Sequence, residues 1–350
     1  MNFTLLDIIS VLIIYQSLLF VLFLIFNKKS KPFFIKVLIG ICGLIIVHFT
    51  YMSLENQSLH KGYFLGPFFG LLYGPLYYWY TRSLMMSPSR TITMWVHFIP
   101  ACLALLFLFF LNDHIIGYVT IIGLLVTAHF VTYLLGTLRL IFSYRKQLKH
   151  VTSSLYNISL FWLEVTIYIQ LLILIVTIFE GFSQFLGAGD TLVVIIYGMV
   201  LILINCFYHL GLKQVRLFIG LPEETIAQPI VTEYAIPETT FNEYVGQLSD
   251  YFETHKPYLE FDLSLNDLSE ALQISPRNMS HIINKKYGRN FYDFINQYRL
   301  DLAKTMLLNS EKPIKEIMYD SGFSNKATFN ALFKKSTNLT PTQYRQQNKS

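Results

Sequence analysis

Seven long apolar runs occupy the first 210 positions of the chain, and they constrain its fold more than any other feature. They lie at about residues 5–26, 33–53, 63–84, 94–111, 115–138, 159–179 and 191–210. A helix needs roughly 20 apolar residues to cross the hydrocarbon core of a bilayer. We therefore expect residues 1–212 to form a seven-span transmembrane helix bundle that acts as a sensor domain in the lipid bilayer.

The positive charges between these runs predict an orientation. Twelve Lys and Arg residues fall in the first, third and fifth loops and after the seventh run, whereas the intervening loops hold only Lys61. Cytoplasmic loops carry the excess of Lys and Arg in membrane proteins. The N-terminus is therefore expected outside and the C-terminal part in the cytoplasm.

The composition changes after the last apolar run. Residues 221–270 hold eleven acidic side chains and one Lys, and residues 271–350 hold thirteen basic and five acidic ones. Three prolines fall within the acidic part before residue 240, so residues 213–240 are interpreted as a cytoplasmic linker. The basic module that follows favours an anionic partner.

Residues 241–350 show a helical period with two similar arrangements of short helices. In the first, Ser264 and Asp267 predict a capped helix start, and Ser275-Pro276 predicts the start of a second helix. A long helix is expected over about 291–308. The arrangement then recurs, with a helix start at Pro313, a turn at Gly322 and a cap at Ser324 or Asn325. The chain is therefore predicted to be all-α, with two helix-turn-helix units at its C-terminus.

The second arrangement carries a recognisable motif. It reads Ile317-Met-Tyr-Asp-Ser-Gly322-Phe323, followed by Phe329, Phe333-Lys334-Lys335, Thr340-Pro341 and Tyr344-Arg345. This pattern resembles the C-terminal signature of AraC/XylS-type transcription regulators and covers about residues 241–347. With seven spans in front, the whole chain resembles the membrane-bound AraC-type regulators of some bacteria, which implies the cytoplasmic (inner) membrane as its location.

The resemblance implies double-stranded promoter DNA and RNA polymerase as partners. A second copy of the chain is a further candidate partner, and no cofactor or metal is expected. Two sets of residues follow from it. The candidates for reading bases are Arg277, Asn278, Ser280, His281, Lys326 and Asn330. The candidates for phosphate contacts are Lys285, Lys286, Arg289, Lys334 and Lys335. The sequence departs from the family at Ala331, where many relatives have Arg, and at Asn338, where many have Gly.

Small residues recur at helical spacing in the third apolar run. Gly66, Gly70 and Gly74 form a doubled Gly-x-x-x-Gly pattern. Such residues let two helix backbones approach closely. The pattern indicates either packing inside the bundle or a dimer seam between two copies.

Two other functions are compatible with these features. The first is a membrane enzyme or transporter with a regulatory DNA-binding tail, for which His129 and Asn205 would have to build a polar pathway. The second is a tether that holds DNA at the membrane without sensing. The sequence lacks metal-ligand spacings and nucleophile motifs in the apolar block. We therefore expect a one-component regulator that is not an enzyme and that responds to an unidentified small-molecule or membrane signal.

Overall fold

The computed structural model describes residues 4–26, 33–56, 65–85, 95–111, 119–155, 160–185, 191–214 and 236–348. The chain divides into two compact units. The N-terminal unit comprises Met1–Phe142 and Leu160–Leu221, and the C-terminal unit comprises Ser143–Ser159 and Pro222–Ser350. All regular secondary structure in the described residues is helical, so the predicted all-α class is confirmed.

The described residues of the apolar part of the chain form seven α-helices. They are α1 Leu5–Phe26, α2 Phe33–Asn56, α3 Gly66–Met85, α4 Ile99–Leu111, α5 Val119–Leu148, α6 Phe161–Phe185 and α7 Thr191–Gln214. A short 3-10 helix, Val96–Phe98, leads into α4.

The expected number of seven membrane spans is not confirmed. Five of the described helices (α1, α2, α5, α6 and α7) are long and apolar enough to cross a bilayer. Helix α3 contains Pro75 and Arg82 and is not among them. The apolar stretch Val96–Leu106, which includes most of α4, is too short. The predicted orientation stays a prediction.

In the N-terminal unit, large apolar side chains are exposed on the outside as well as buried inside, unlike in a water-soluble bundle. Helix α1 packs against α2 and α7, and Ile13, Phe49 and Ile204 form their common core. On α1 the buried residues include Asp7, Ser10 and Ser17. The exposed face of α1 consists of large apolar side chains, namely Leu5, Ile8, Val11, Leu12, Tyr15, Leu18, Leu19, Leu22, Phe23, Ile25 and Phe26.

The described residues from 236 onward form seven further α-helices, which belong to the C-terminal unit. They are α8 Glu238–His255, α9 Leu265–Leu272, α10 Pro276–Tyr287, α11 Phe291–Asn309, α12 Ile314–Asp320, α13 Lys326–Thr337 and α14 Pro341–Asn348. Their starts follow the predicted signals: the capping box of Ser264 with Asp267, the Ser275 cap before Pro276, and the Asn325 cap are all present.

Helix α11 is shared by two hydrophobic cores. Its first half contributes Phe291, Phe294 and Ile295 to a core with α8, α9 and α10. Its second half contributes Leu300, Ala303 and Leu307 to a core with α12 and α13. The fold is therefore two helix-turn-helix units, α9–α10 and α12–α13, built on one linking helix.

The domain division differs from the predicted one at one segment. Residues 143–159 were expected within the 1–212 block, but they belong to the C-terminal unit. The reason is a set of backbone hydrogen bonds, described below, that joins residues 149–153 to α9 and α11. Most of the predicted linker, residues 215–235, lies outside the described residues.

Candidate nucleic-acid interface

The second helix of the first unit, α10, is fixed at both ends by its own sequence. The Ser275 hydroxyl accepts a hydrogen bond from the backbone N–H of Asn278 at 3.2 Å, and Pro276 occupies the first helical position. Gly288 ends the helix with φ +63°, a left-handed conformation that glycine adopts without strain. In helix-turn-helix proteins such a helix presents its N-terminal residues to the major groove.

Most of the predicted DNA-contacting residues of α10 and of the turn that follows it are accessible. Arg277, Lys285, Lys286 and Arg289 are exposed, and Asn278 and His281 are half-buried. Ser280 is only 6% exposed, and its hydroxyl accepts a hydrogen bond from the Asn284 amide at 3.3 Å. The prediction that Ser280 faces outward is therefore wrong. Helix α10 packs against three helices (α8, α9 and α11), so its buried face is wider than a single stripe.

Helix α8 reaches the side of α10 that carries two of these candidates. The Phe241 ring meets the His281 ring edge-on at 6.3 Å between centroids. The Lys285 ammonium lies 4.7 Å from the centroid of the same Phe241 ring, a cation–π distance. His281 and Lys285 therefore have partners within the domain, and α8 holds both side chains on this face.

The corresponding helix of the second unit, α13, is built in the same way. The Asn325 side chain accepts a hydrogen bond from the backbone N–H of Thr328 at 2.9 Å. Asn338 ends the helix with φ +59°, the same left-handed conformation that Gly288 has at the end of α10. Of the predicted contacts, Lys326, Lys334 and Lys335 are exposed and Asn330 is half-buried.

The two recognition helices are equivalent position by position. Each has 12 residues, and the caps Ser275 and Asn325, like the helix ends Gly288 and Asn338, are 50 residues apart. The residues that correspond to Arg277 and His281 are Ala327 and Ala331, and both alanines are exposed. The second helix therefore lacks the side chains that the first offers at two outward positions.

The comparisons with known proteins concern this part of the chain. A family described as "Helix-turn-helix domain" matches residues 268–347. An uncharacterized HTH-type transcriptional regulator of Staphylococcus aureus (strain COL) is 38% identical over 101 residues, which is 29% of this chain and 13% of that protein. The HTH-type regulator YijO of Escherichia coli (strain K12) is 34% identical over 85 residues, which is 24% of this chain and 30% of that protein.

The C-terminal domain is an AraC-type helix-turn-helix domain. This AraC-type domain is also similar to a solved C-terminal domain of the two-component response regulator yesN from Fusobacterium nucleatum. The two are 32% identical, and the match covers 29% of this chain and 98% of that one with a TM-score of 0.27. Since the chain spans less than a third of the length of either curated relative, the likeness concerns the AraC-type domain alone.

A buried arginine in the AraC-type domain was not predicted. Arg299 on α11 is 2% exposed, and Nε and Nη2 donate to the carbonyl oxygens of Tyr258 at 2.7 Å and Glu260 at 2.6 Å. Burial lowers its pKa to about 10, so it is charged at neutral pH. The sequence holds a signal for it, because Arg299 lies four residues from Ile295 and from Ala303 on the buried stripe of α11.

Two polar residues of the apolar helices, Asn205 and His48, form pairs between helices, whereas His129 forms no such pair within the part of the chain that the structure describes. Asn205 on α7 donates to the Gln16 side chain on α1 at 3.1 Å. His48 on α2 is 2.9 Å from the Tyr73 hydroxyl on α3. The ring nitrogens of His129 are buried and have no hydrogen-bond partner among the described residues. Asn205 therefore has a side-chain partner on a neighbouring helix.

The glycine pattern of α3 packs within the chain. A Cβ at Gly70 would lie 2.5 Å from Cγ1 of Val126, and one at Gly74 would lie 3.0 Å from Cβ of Tyr133. Val126 and Tyr133 both belong to α5, so these two glycines allow α3 and α5 to approach. Of the two interpretations of this pattern, the structure favours packing inside the bundle for Gly70 and Gly74; Gly66 is half-buried.

Proposed function

We propose that the chain is a membrane-embedded one-component transcription regulator that binds promoter DNA through α10 and α13. The observation that carries this proposal is the pair of equivalent recognition helices on the single linking helix α11, each with basic side chains exposed. Two helix-turn-helix units on one side of a duplex contact successive major grooves about 34 Å apart.

Within this proposal the residues take two roles. Arg277, Asn278 and His281 on α10, with Lys326 and Asn330 on α13, contact base edges, because side chains near the N-terminus of a recognition helix reach into the groove. Lys285, Lys286, Arg289, Lys334 and Lys335 contact phosphates and position the domain. Ser280 has no such role, since it is buried. Because Ala327 and Ala331 replace the longer side chains found at the corresponding positions of α10, the first helix-turn-helix unit makes most of the sequence-specific contacts.

The N-terminal unit is proposed to lie in the cytoplasmic membrane and to sense the signal. The support is the exposed apolar face of α1, whose contact with water would be unfavourable, together with the buried Asp7, Ser10 and Ser17. Charge bias in the loops favours the N-terminus outside, which puts the DNA-binding domain in the cytoplasm. A homodimer is part of this proposal, and its contact would use a surface other than Gly70 and Gly74. RNA polymerase is the further partner.

The full chain in lipid nanodiscs, mixed with genomic fragments at several salt concentrations, tests the proposal. Enrichment of a few promoter fragments, with affinity that falls steeply with salt, is the expected result. Equal binding to all fragments would contradict sequence-specific regulation and favour a tether. The fragment 241–350 is less suitable for this experiment, because it lacks residues 143–159 of the same unit.

A further inference from the structure

The segment Lys149–Ser153 connects the apolar helices to the DNA-binding unit by a route other than the linker. It follows helix α5, whose residues 119–142 belong to the N-terminal unit and whose last turns belong to the C-terminal unit. The helix ends at Leu148, whose carbonyl accepts hydrogen bonds from the N–H groups of Val151 and Thr152, both at 3.0 Å. The chain therefore turns tightly at the end of α5 and continues within the C-terminal unit.

This segment supplies backbone acceptors at the starts of two helices of the DNA-binding unit. Leu265, the first residue of α9, donates its N–H to the Val151 carbonyl at 2.9 Å. Tyr292, the second residue of α11, donates to the Lys149 carbonyl at 2.9 Å. The N–H groups of a first helical turn have no partner inside their own helix. The segment therefore provides acceptors for one N–H group at the start of α9, in the first helix-turn-helix unit, and for one at the start of the linking helix α11.

A short antiparallel pairing fixes the register of the segment. Thr152 lies opposite Ser264 in an isolated bridge, and Ser153 donates its N–H to the Leu263 carbonyl at 3.1 Å. The Ser153 hydroxyl donates to the same carbonyl at 2.6 Å. Thr152 and Ser153 are both buried. The pairing leaves no freedom for the segment to slip without breaking these bonds.

The Arg299 guanidinium joins the segment to both helix-turn-helix units. Nη1 donates to the Ser153 carbonyl at 3.3 Å, and Nη2 donates to the Ser153 hydroxyl at 3.2 Å. Two further acceptors of the guanidinium, the carbonyls of Tyr258 and Glu260, belong to the chain just before the first helix-turn-helix unit, and Nη1 also donates to Oδ1 of Asn296 at 3.4 Å. The Phe323 ring, in the turn of the second unit, is 5.9 Å away. A buried charge is unfavourable unless hydrogen-bond acceptors surround it. Loss of the two Ser153 contacts therefore leaves the Arg299 guanidinium with fewer acceptors and less restrained in position.

We propose that the segment 149–153 transmits the signal from α5 to the DNA-binding domain. Movement of α5 undocks the segment from Leu263–Leu265 and Arg299, and this change alters the DNA affinity of the two helix-turn-helix units. This inference rests on the proposed function. A segment that both ends a helix of the N-terminal unit and holds the junction of the two recognition units can bias their arrangement in either direction. If the segment only stabilised the domain, its docking would have no effect on DNA affinity.

The substitution Ser153→Ala tests the inference, with Ser154→Ala as the matched control. The Ser153 hydroxyl bonds Leu263 and Arg299, whereas Ser154 takes part through its backbone N–H and carbonyl, both bonded to Thr152. Each full-length variant in nanodiscs is examined by hydrogen–deuterium exchange and by titration with a fragment selected by the wild type. In Ser153→Ala we expect faster exchange in the peptides that contain Leu265 and Tyr292, and a change of at least about fivefold in DNA affinity. Ser154→Ala should match the wild type in both.

A reversible crosslink gives a second test that does not depend on how well Ser153→Ala folds. Residues directly opposite in an antiparallel pair have Cα atoms about 4.5–5.5 Å apart, which suits a disulfide. Thr152→Cys with Ser264→Cys, in a chain whose Cys42, Cys102 and Cys206 are replaced by Ser, is titrated with DNA before and after reduction. We expect the oxidised and reduced forms of this one polypeptide to differ at least about fivefold in affinity.

The outcomes separate this inference from the proposed function. Unchanged exchange at Leu265 in Ser153→Ala, or a crosslink that does not form, would show that the segment is not docked. Faster exchange with unchanged DNA affinity, or equal affinity of the two redox forms, would show that the segment only stabilises the domain. Each of these outcomes overturns the inference and leaves the proposed function as a regulator unaffected. Failure of the wild type to select any fragment would overturn the proposed function and the inference with it.

Discussion

The backbone of Gly322 lies directly against the carbonyl oxygen of Tyr258. A Cβ at position 322 would overlap that oxygen and would also come within 3.1 Å of the Arg299 Nε. The turn of the second helix-turn-helix unit is thus in contact with the chain that precedes the first unit. The turn requires glycine at position 322 for two reasons: this close contact leaves no room for a Cβ, and φ is +88°, a conformation that favours glycine.

Gly322→Ala should destabilise the C-terminal unit strongly. The left-handed conformation and the overlap together are expected to cost about 2–5 kcal/mol. Gly288→Ala is the control, because Gly288 has φ +63° but open space around its Cα, and it should cost about 1–2 kcal/mol. Hydrogen exchange of peptides from α13 in the full chain measures both. An equal loss of stability in the two variants would mean that the close contact with the Tyr258 carbonyl does not add to the effect of Gly322→Ala.

Gly70→Ala should destabilise the N-terminal unit by about 1–3 kcal/mol, because the added methyl group meets the stiff, β-branched Val126 at 2.5 Å. Gly136→Ala on α5 serves as the control, since a Cβ there meets no atom within 4 Å. The midpoint of thermal unfolding of the full chain in detergent, relative to the wild type, is the measurement. A larger loss for Gly136→Ala would argue against the packing of α3 on α5.

Arg277→Ala and Lys334→Ala should affect DNA binding in different ways. Removal of a base-contacting Arg is expected to cost about 1–3 kcal/mol on the preferred site and to relax selection at one base position. Removal of a phosphate-contacting Lys is expected to weaken binding to all sequences and to lower the salt slope by about 1. Selection from randomised DNA, combined with salt titration, distinguishes the two effects. Uniform weakening by both variants would place α10 elsewhere than in the groove.

Ala331→Arg should strengthen DNA binding. Ala331 is exposed on the outer face of α13 at the position that corresponds to His281, so an Arg there can reach the duplex. A new phosphate contact makes the slope of log affinity against log salt steeper by about 0.9. Ala331→Gln keeps a long polar side chain without charge and should leave the slope unchanged. If Ala331→Arg binds as the wild type does, α13 is too far from DNA to contribute.

Acidification should loosen the segment 149–153. Burial, and after it the charge of Lys146, lowers the pKa of His150 below its ordinary 6.5, while Asp293 acts in the opposite direction. The undocked segment, in which His150 is free of these effects, therefore binds protons more readily, and docking weakens as the pH falls through 6.5 and below. Exchange of the Leu265 peptide, corrected for the intrinsic pH dependence, should rise on acidification in the wild type and not in His150→Gln. The same rise in both would exclude His150 as the cause.

The local features of the C-terminal unit were predictable from sequence because their partners are near in the chain. The cap of α9 needs only Ser264 and Asp267, three residues apart, and the end of α13 needs only Asn338 and its left-handed conformation. Helix α11 was expected over 291–308 and spans Phe291–Asn309. Both recognition helices, with most of their exposed side chains, followed from the same short-range signals.

The tertiary contacts of the site were not predictable in this way. Ser280 is predicted to read bases but is buried next to Met279, because α10 packs against three neighbouring helices. Arg299 is polar on a buried stripe, but its acceptors are the carbonyls of Tyr258 and Glu260, 41 and 39 positions earlier, and Ser153, 146 positions earlier. Pairing of residues so distant depends on the whole fold, which periodicity does not report.

The discontinuous C-terminal unit also imposes an order on biosynthesis. Ser153 leaves the ribosome well before Leu263 and Arg299, its partners 110 and 146 positions later. At typical elongation rates this interval is on the order of ten seconds. During that time α6 and α7 are synthesised, so Ser153 remains without these two partners until both helices have been made. A newborn chain therefore acquires its complete DNA-binding unit only after the last apolar helix has been synthesised.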